Sequence, residues 1–438
     1  MNSAMQLYDT WKVLNKLNFD YVLYMCSKIH IYNKIHKKCI NERSHIIMEN
    51  KTLVIGLGAA GNKAAIKLVE DGIKDAADII LINSTQVDVP AAYKGACYLL
   101  KGTSGGFGKE RTKSKNAMVD FLRSGEFNIK EKMAKTDDDG RLIYKKAFII
   151  ASTEGGTGSG ASVILAKYIK DVIKIPVHII GIVGFGKDGR GLRNTMEFLN
   201  DVEEGTICSM IKNDSFLSEC NDSEILAEKA ANEQIEKEIL IEEGKLIKES
   251  EQNIDPRDLY KVTTTPGYHQ TELIYLRDKI RNKKDFAAAL TEMLDNSHHM
   301  ETKPSQTKMA VILNVNPNSQ LFCDDYQVLL DRLGKCYEIY THRQFEGNKE
   351  YIAVISSGLK MPIDEAKEVY ERYKEASESV DKSDDSFFSE ISKLKGNSDD
   401  SMFDMTATQV NSGNEEDFFS SFEKSEGKKK EQSNIEDY

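Results

Sequence analysis

The sequence predicts an α/β protein in which a doubly wound sheet is joined by a long helix to a smaller α+β domain. Apolar strands in the first half end in glycine-rich turns, a proline-free helical pattern covers 222–250, and mixed strands and helices follow. Strands that alternate with helices favour a parallel sheet covered on both faces. The last segment, 378–438, is poor in aliphatic residues and rich in Ser, Asp, Glu and Asn, which predicts a disordered acidic tail.

Composition and charge limit the classes of function. The chain has 438 residues, enough for two domains, and a net charge of −11. This charge disfavours a protein that coats nucleic acid nonspecifically, and we expect no direct sequence-specific DNA binding. The seven cysteines are scattered without a CxxC pair, which fits a reducing cytoplasm and disfavours a zinc site. Charged residues interrupt the apolar part of 1–47, so neither a membrane span nor a signal peptide is expected there, although an amphipathic membrane-surface segment is an alternative.

The first strand, Thr52–Ile55, leads into the turn GLGAAGN at 56–62 and an apolar-periodic helix. A GxGxxG turn after a strand lets the backbone approach a phosphate, but alone it would equally suggest a nicotinamide or flavin enzyme. Such an enzyme needs an acidic residue at the end of the second strand to bind a ribose. That strand, Ile79–Ile82, ends instead in Asn83-Ser-Thr. An NAD(P)-dependent oxidoreductase is therefore only a remote alternative.

Two further glycine-rich turns follow predicted strands. The strand Ala96–Leu100 leads to KGTSGGFGK at 101–109, and the strand Ala147–Ser152 leads to EGGTGSG at 154–160. Glycines allow close approach to an anion, and the N-terminus of the following helix adds a positive end. No lysine follows the glycines of 154–160, so this turn is not a Walker loop. The sequence predicts phosphate cradles here, and Lys109 or Arg111 could also touch phosphate.

The turn 154–160 resembles the GGGTGTG/S signature of the tubulin/FtsZ superfamily, with Glu154 in the place of the first glycine. The run NSTQVD at 83–88 resembles the N-T-x-x-x-D-like nucleotide loop of that family, and NIDPRD at 253–258 resembles its synergy loop, N-x-D-x-x-D. The resemblance covers about residues 49–375. It implies a Rossmann-like GTPase domain, a long central helix, a smaller α+β domain and assembly into filaments.

The resemblance also implies the nucleotide and its ligands. Glu233 matches an acidic residue that reads guanine, because a carboxylate accepts hydrogens that guanine has and adenine lacks. We therefore expect GTP, accompanied by Mg²⁺, and no metal site built from protein ligands alone. The implied GTP-binding residues are Gly58, Gly61, Asn62, Asn83, Gly105, Gly106, Gly155, Gly156, Thr157, Gly158, Ser159, Gly160, Asp188, Arg193, Asn232 and Glu233.

The implied catalytic residues are Asn253, Asp255 and Asp258. Hydrolysis needs a carboxylate or amide that orients water against a γ-phosphate. In the family this loop lies at the far end of the central helix, so it reaches only the nucleotide of the next subunit, stacked head to tail. Such a contact does not close and generates a filament, which implies GTP hydrolysis activated by polymerisation. Taken alone, the loop would be interpreted as a helix-capping turn.

Five segments are predicted: an N-terminal extension of doubtful structure at 1–47, a GTP-binding domain at 48–221, a central helix at 222–252, an α+β domain at 253–377 and a disordered tail at 378–438. The altered phosphate loops resemble TubZ-type partition tubulins of plasmids and phages, which move DNA through an adaptor protein bound at a centromere. The tail is then a candidate docking element for that adaptor. An FtsZ-like cell-division GTPase is the alternative.

Overall fold

The computed structural model describes residues 52–72, 77–102, 105–125, 131, 143–248, 253–276, 282–316, 325–345 and 350–375. All of them belong to one compact unit, Lys51–Tyr438. The predicted extension at 1–47 and the predicted acidic tail at 378–438 lie outside the described residues. Most of the polar segment that precedes the strand at Ala147 lies outside them as well.

One ten-stranded sheet runs through the described residues, in the order β3-β2-β1-β4-β5-β6-β7-β10-β8-β9. The first seven strands are mutually parallel, and their first six follow the order 3-2-1-4-5-6 of a doubly wound Rossmann-like sheet. β10 runs antiparallel to β7 and β8, and β8 pairs in parallel with β9. The strands are β1 Thr52–Leu57, β2 Ala77–Asn83, β3 Cys97–Leu99, β4 Ala147–Ser152, β5 Val177–Val183, β6 Ile207–Lys212, β7 Gly267–Tyr275, β8 Met309–Val315, β9 Glu338–Gln344 and β10 Tyr351–Leu359.

Helices cover both faces of the parallel part of the sheet, where two separate apolar clusters form. Two smaller clusters lie around β7–β10. Within the parts of the chain that the structure describes, no helix combines the length and apolar composition needed to span a bilayer. The helices are α1 Gly58–Lys67, α2 Arg111–Ser124, α3 Gly156–Tyr168, α4 Gly189–Asp201, α5 Glu224–Glu242, α6 Pro256–Thr263, α7 Lys283–Asp295, α8 Gln327–Leu333 and α9 at 363–375.

The central helix α5 is shorter than the pattern at 222–250 predicts. It ends at Glu242, and Gly244 follows in the left-handed region with φ +67°. The Lys245 amide donates to Leu240 O and the Gly244 amide to Ile241 O, which is the Schellman arrangement that closes a helix. A glycine without a Cβ adopts this conformation at little cost. The prediction of one continuous central helix at 222–252 was therefore wrong.

Strand β7 and helices α4, α6 and α8 were not predicted as regular elements. β7 matters most, because it pairs with β6 on one side and β10 on the other. The predicted segments 48–221 and 253–377 thus share one continuous sheet. β1, β2 and β3 differ from the strands predicted above by at most two residues at either end, and β4 has the predicted bounds.

Candidate nucleotide-binding site

The predicted phosphate loops meet at the carboxyl ends of the parallel strands. Chain order reverses between β1 and β4, and ligands of open α/β sheets bind at such a switch point. Gly58, which begins α1 after β1, has φ +77°, and a Cβ there would lie 3.3 Å from the amide nitrogen of Gly158 in α3. The first turns of these two helices therefore pack against each other at this edge of the sheet.

Several of the predicted glycines are required for packing. A Cβ on Gly61 would overlap the carbonyl oxygen of Ile150 in β4, and a Cβ on Gly158 would lie 2.6 Å from Ser152 O. Gly160 has α2 directly against it, so a Cβ would overlap Ser114 Oγ. These glycines bring helices close to their neighbours and thereby shape the site.

Other predicted glycines border open space. Among the described residues, a Cβ on Gly105 would have no heavy atom within 4 Å, and one on Gly155 would first meet Ser152 Oγ at 3.8 Å. Gly106 adopts φ +103° and is equally open, with Ser84 Oγ at 3.7 Å. Gly156 differs, because a Cβ there would lie 2.8 Å from the Lys109 backbone. The open glycines are the ones at which a ligand can approach the backbone.

Two buried amides beside the cradle retain unused hydrogen-bonding atoms. Asn62 Nδ2 donates to Ile82 O at 3.4 Å, and Asn83 Oδ1 accepts from the Ser84 amide at 2.9 Å. Within the described part of the chain, Asn62 Oδ1 and Asn83 Nδ2 have no hydrogen-bond partner, although both residues are at most 2% exposed. Orphaned buried polar atoms are uncommon in folded proteins and fit a site that a polar ligand completes.

The two hydroxyl groups of the signature turn differ in availability. Ser159 is fully buried and its hydroxyl donates to Gly155 O, so it stabilises the first turn of α3. Thr157 Oγ1 lies 2.9 Å from Ser84 Oγ, in the loop after β2, and remains half-buried. Thr157 is thus the better hydroxyl donor for a phosphate.

Charged side chains surround the entrance of the cradle. Asp188, the N-cap of α4, accepts from the Gly191 amide at 2.8 Å and from Lys109 Nζ. The Lys109 ammonium group holds the pKa of Asp188 below its usual value. Burial raises the pKa of Glu154, while the amide of Gly186, 3.2 Å from Glu154 Oε1, opposes that rise.

Arg111, Arg193 and Asn194 differ in burial and in their hydrogen-bond partners. Arg111 is 6% exposed and donates to Ser159 O at 3.1 Å, which commits it to supporting α3. Arg193 is exposed and pairs with Glu197 at 2.7 Å. The neighbouring Asn194 is buried instead, and the sequence reasoning did not identify it. To predict that Asn194 is buried, the run GRGLRN at 189–194 would first have had to be recognised as the start of a helix, α4.

The predicted base-reading pair lies on α5 beside α1. Glu233 is 54% exposed and its carboxylate is 3.9 Å from Lys67 Nζ, while Asn232 is half-buried. Lys67 ends α1, the helix that carries Asn62 in its middle. The structure therefore places Glu233 beside the C-terminal end of α1, the helix that begins at the predicted phosphate-binding turn.

The predicted catalytic loop lies at the other edge of the sheet. Asp255 caps α6, accepting from the Arg257 amide at 2.7 Å, and Asp258 is half-exposed in the first turn. Tyr260 OH of α6 donates to Lys145 O, just before the amino end of β4. Asn253 is exposed. The phosphate loops and this acidic loop thus lie at opposite ends of the parallel strands.

Solved structures share this fold. TubZ of Clostridium botulinum phage c-st aligns with a TM-score of 0.56 at 16% identity, over 75% of this chain and 100% of that chain. A GTPγS-form protofilament of Bacillus thuringiensis serovar israelensis TubZ aligns with a TM-score of 0.64 at 15% identity, over 81% and 99% of the chains. GTPγS-bound CetZ2 from Haloferax volcanii gives 0.59 at 18% identity, over 76% and 99%.

The chain has the tubulin/FtsZ fold. The resemblance predicted from the signature turn is thereby confirmed. No protein-family model matches the chain. A curated relative, the tubulin-like protein CetZ2 of Haloferax volcanii, is 26% identical over 176 residues, which are 38% of this chain. The match spans about half of that relative, 47% of its length.

In this tubulin/FtsZ fold, the central helix carries a buried polar row. Gln234, Glu238 and Glu242 follow at four-residue spacing and are each at most 8% exposed. Glu238 lies 3.1 Å from His299, and Glu242 accepts from Lys146 Nζ at 3.0 Å. The row joins α5 to the sheet by ion pairs rather than by apolar contacts alone.

One part of this row has the composition of a metal site. Ligand atoms of His178, Glu242 and His269 lie within 4.8 Å of one another. However, Glu242 Oε2 is already 3.2 Å from His178 Nδ1 and 3.0 Å from Lys146 Nζ. A buried ammonium group at this distance repels a metal cation. The cluster is therefore better described as an ion-pair network.

Proposed function

We propose that this protein is a GTPase whose subunits assemble head to tail into filaments and hydrolyse GTP at the subunit contact. The observation that carries the proposal is the separation of two half-sites: open glycines and orphaned amides at one edge of the sheet, and the acidic loop 253–258 at the other. Among the described residues, the carboxylates beside the cradle, Glu154 and Asp188, are already engaged by amides or by Lys109, so the acidic loop at the other end of the strands is the better source of a carboxylate for the attacking water. A second copy stacked along the strand direction supplies the missing half.

The residues fit a guanine nucleotide. Gly105, Gly106 and Gly155 leave room for phosphate oxygens, and the N-terminus of α3 adds its positive end. Glu233 accepts hydrogens from the guanine edge, and Thr157 donates to a phosphate oxygen. Protofilaments of relatives bound to GTPγS support both GTP binding and self-association.

In the proposed reaction, one subunit binds the nucleotide and the next subunit orients the water. One subunit binds the triphosphate, and its backbone amides stabilise the charge that develops on the transferred group. Asp255 and Asp258 of the next subunit, with Asn253, orient the water that attacks. Mg²⁺, when bound, neutralises phosphate charge. The nearby carboxylates of Glu154 and Asp188 are already engaged, so we assign Mg²⁺ to phosphate oxygens and water.

A mixing experiment tests the arrangement. Gly105→Asp places a negative charge in open space, so it should block GTP binding without disturbing the fold. Asp258→Asn should bind GTP but not hydrolyse it. Each variant alone should release little phosphate, whereas an equal mixture should recover turnover, because a Gly105→Asp subunit offers its intact acidic loop to GTP on its Asp258→Asn neighbour. Pelleting with GTP and Mg²⁺ measures assembly, and chelation of Mg²⁺ should abolish phosphate release. A mixture as inactive as its components would refute hydrolysis between subunits.

For the cellular role, we propose DNA partition in the cytoplasm, of the TubZ type, with an FtsZ-like division role as the alternative. TubZ proteins from a phage and from Bacillus thuringiensis are among the similar structures, which supports the first. CetZ structures from Haloferax volcanii and Methanosaeta thermophila are of comparable similarity. The partner is then a DNA-binding adaptor, docked through the tail 378–438. Deleting 378–438 should abolish plasmid retention but not assembly, and unchanged retention would contradict the docking role.

A further inference from the structure

Glu154 stands where the signature has a glycine, and its side chain reaches the loop between β5 and α4. Glu154 Oε1 accepts from the Gly186 amide at 3.2 Å, and the Gly184 amide also faces the carboxyl group. A Cβ on Gly184 would overlap Glu154 Oε2, and one on Gly191 would lie 3.1 Å from Glu154 Cβ. The glutamate therefore fills space that glycines of the neighbouring loop leave open.

The backbone of Glu154 is held from the other side by Asn194. Asn194 is 5% exposed, and its Nδ2 donates to Glu154 O at 3.1 Å and to Lys109 O at 3.0 Å. Both amide hydrogens are thus used to join the signature turn to the loop 105–109. Asn194 belongs to α4, directly after the loop that Glu154 contacts.

A third link completes the connection. Asp188 of the β5–α4 loop, residues 184–188, pairs with Lys109 of the loop 105–109. The signature turn, the β5–α4 loop and the loop 105–109 are therefore linked in pairs: by the Glu154 carboxyl group, by the Asn194 amide and by the Lys109–Asp188 ion pair. All three are phosphate-facing loops in the proposed site.

We infer that Glu154 is a positioning residue, whose carboxyl group binds the β5–α4 loop amides and holds the three loops in a nucleotide-ready arrangement. The nucleotide part of this inference rests on the proposed function. Loops that are ordered beforehand lose less conformational entropy when a ligand binds. The negative charge of this carboxyl group would repel a bound phosphate. The amides of Gly184 and Gly186 and the ammonium group of Lys109 partly offset that charge.

Two substitutions separate the hydrogen bond from the charge. Glu154→Gln keeps an acceptor oxygen for Gly186, whereas Glu154→Gly restores the signature glycine and removes the acceptor. Amide hydrogen exchange of a peptide covering 184–191, in nucleotide-free protein, measures the loop directly. We expect wild type and Glu154→Gln to agree within about twofold, and Glu154→Gly to exchange roughly tenfold faster, as expected for one lost hydrogen bond.

Dissociation of a fluorescent GTP analogue gives the functional readout. It should be roughly tenfold faster from Glu154→Gly and unchanged or slower from Glu154→Gln, which has lost the repelling charge. Unchanged exchange in Glu154→Gly, or equal acceleration in both variants, would overturn the inference. If wild type fails to bind the analogue, the proposed function fails, while the exchange comparison still decides whether Glu154 holds the loop.

Discussion

The Glu238 carboxylate and the His299 imidazole form an ion pair of 3.1 Å in which neither side chain is more than 2% exposed. His299 Nδ1 also lies 3.3 Å from Glu272 of β7. Burial disfavours the charged imidazole, but the carboxylates of Glu238 and Glu272 outweigh it and raise the His299 pKa to about 10. The protonated His299 is therefore a buried cation that links Glu238 of the central helix to Glu272 of β7.

Removing this cation should destabilise the fold. His299→Gln leaves two buried carboxylates without their partner, and we expect a loss of about 3–5 kcal/mol in the free energy of unfolding at pH 7. Because the folded pKa is raised above the ordinary value of 6.5, the stabilisation is complete below pH 6.5 and is lost as pH rises through about 10. Urea unfolding across this range measures both effects.

His298→Gln is the matched control. His298 stacks on Phe216, and its nearest acidic group, Glu219, is 65% exposed. Its replacement should cost clearly less than that of His299, and it should leave the alkaline loss of stability intact. Equal costs for the two substitutions would contradict the importance of the buried ion pair.

The glycines of the phosphate loops should separate into two groups. Gly61→Ala places a methyl group on the Ile150 carbonyl, and we expect it to cost about 3 kcal/mol of stability by overpacking. In Gly155→Ala the new methyl group meets only the Ser152 side chain, at 3.8 Å or more, so stability should change by less than about 0.5 kcal/mol. Thermal unfolding measures these changes. A loss of GTP affinity in Gly155→Ala at unchanged stability would then report close approach of phosphate to its backbone.

Lys109 and Arg111 should have separable roles, although both are basic and close in sequence. Arg111→Met removes buried hydrogen bonds to Ser159 O and to Asp201, and should lower the free energy of unfolding by about 2 kcal/mol. Lys109 is 42% exposed, so Lys109→Met should change stability by less than about 1 kcal/mol. It should instead weaken GTP binding about tenfold or more, through loss of a charged donor. The reverse pattern in chemical unfolding and nucleotide titrations would show that Arg111 is the phosphate ligand.

Glu233 should determine base preference. Inosine triphosphate lacks the 2-amino group of GTP, so wild type should bind it about tenfold more weakly. Glu233→Gln loses the charged acceptor, and the difference between the two nucleotides should shrink to about twofold or less. Glu228→Gln, an exposed substitution on the same helix, should keep the wild-type preference. Competition against a fluorescent GTP analogue measures the ratio, and an unchanged ratio in Glu233→Gln would move base recognition elsewhere.

The parallel sheet could be predicted from the sequence because its signals, short apolar runs followed by glycine-rich turns, each lie within a few residues of the chain. β4 is a short, mostly apolar run that leads into a glycine-rich turn, and it was predicted with its actual ends, Ala147–Ser152. β7 was missed because both alternating sets of residues in its sequence, GYHQTELIY, contain polar side chains. Neither face of the strand therefore has an apolar pattern. His269, Gln270, Thr271 and Glu272 are nevertheless all buried, since other residues of the fold satisfy polar groups such as Gln270 and Glu272. No local pattern shows which polar residues will find partners.

The sequence by itself determined a doubly wound parallel sheet, the glycine-rich turns after its strands and the acidic loop 253–258, because glycine spacing and apolar periodicity are local features of the chain. Only the tertiary structure decided where side chains point. It turned Glu154 to the amides of the β5–α4 loop, buried Asn194 instead of Arg193, and committed Arg111 to supporting α3. Those outcomes depend on contacts between loops far apart in the chain, and the energy of such contacts exists only once the sheet has brought them together.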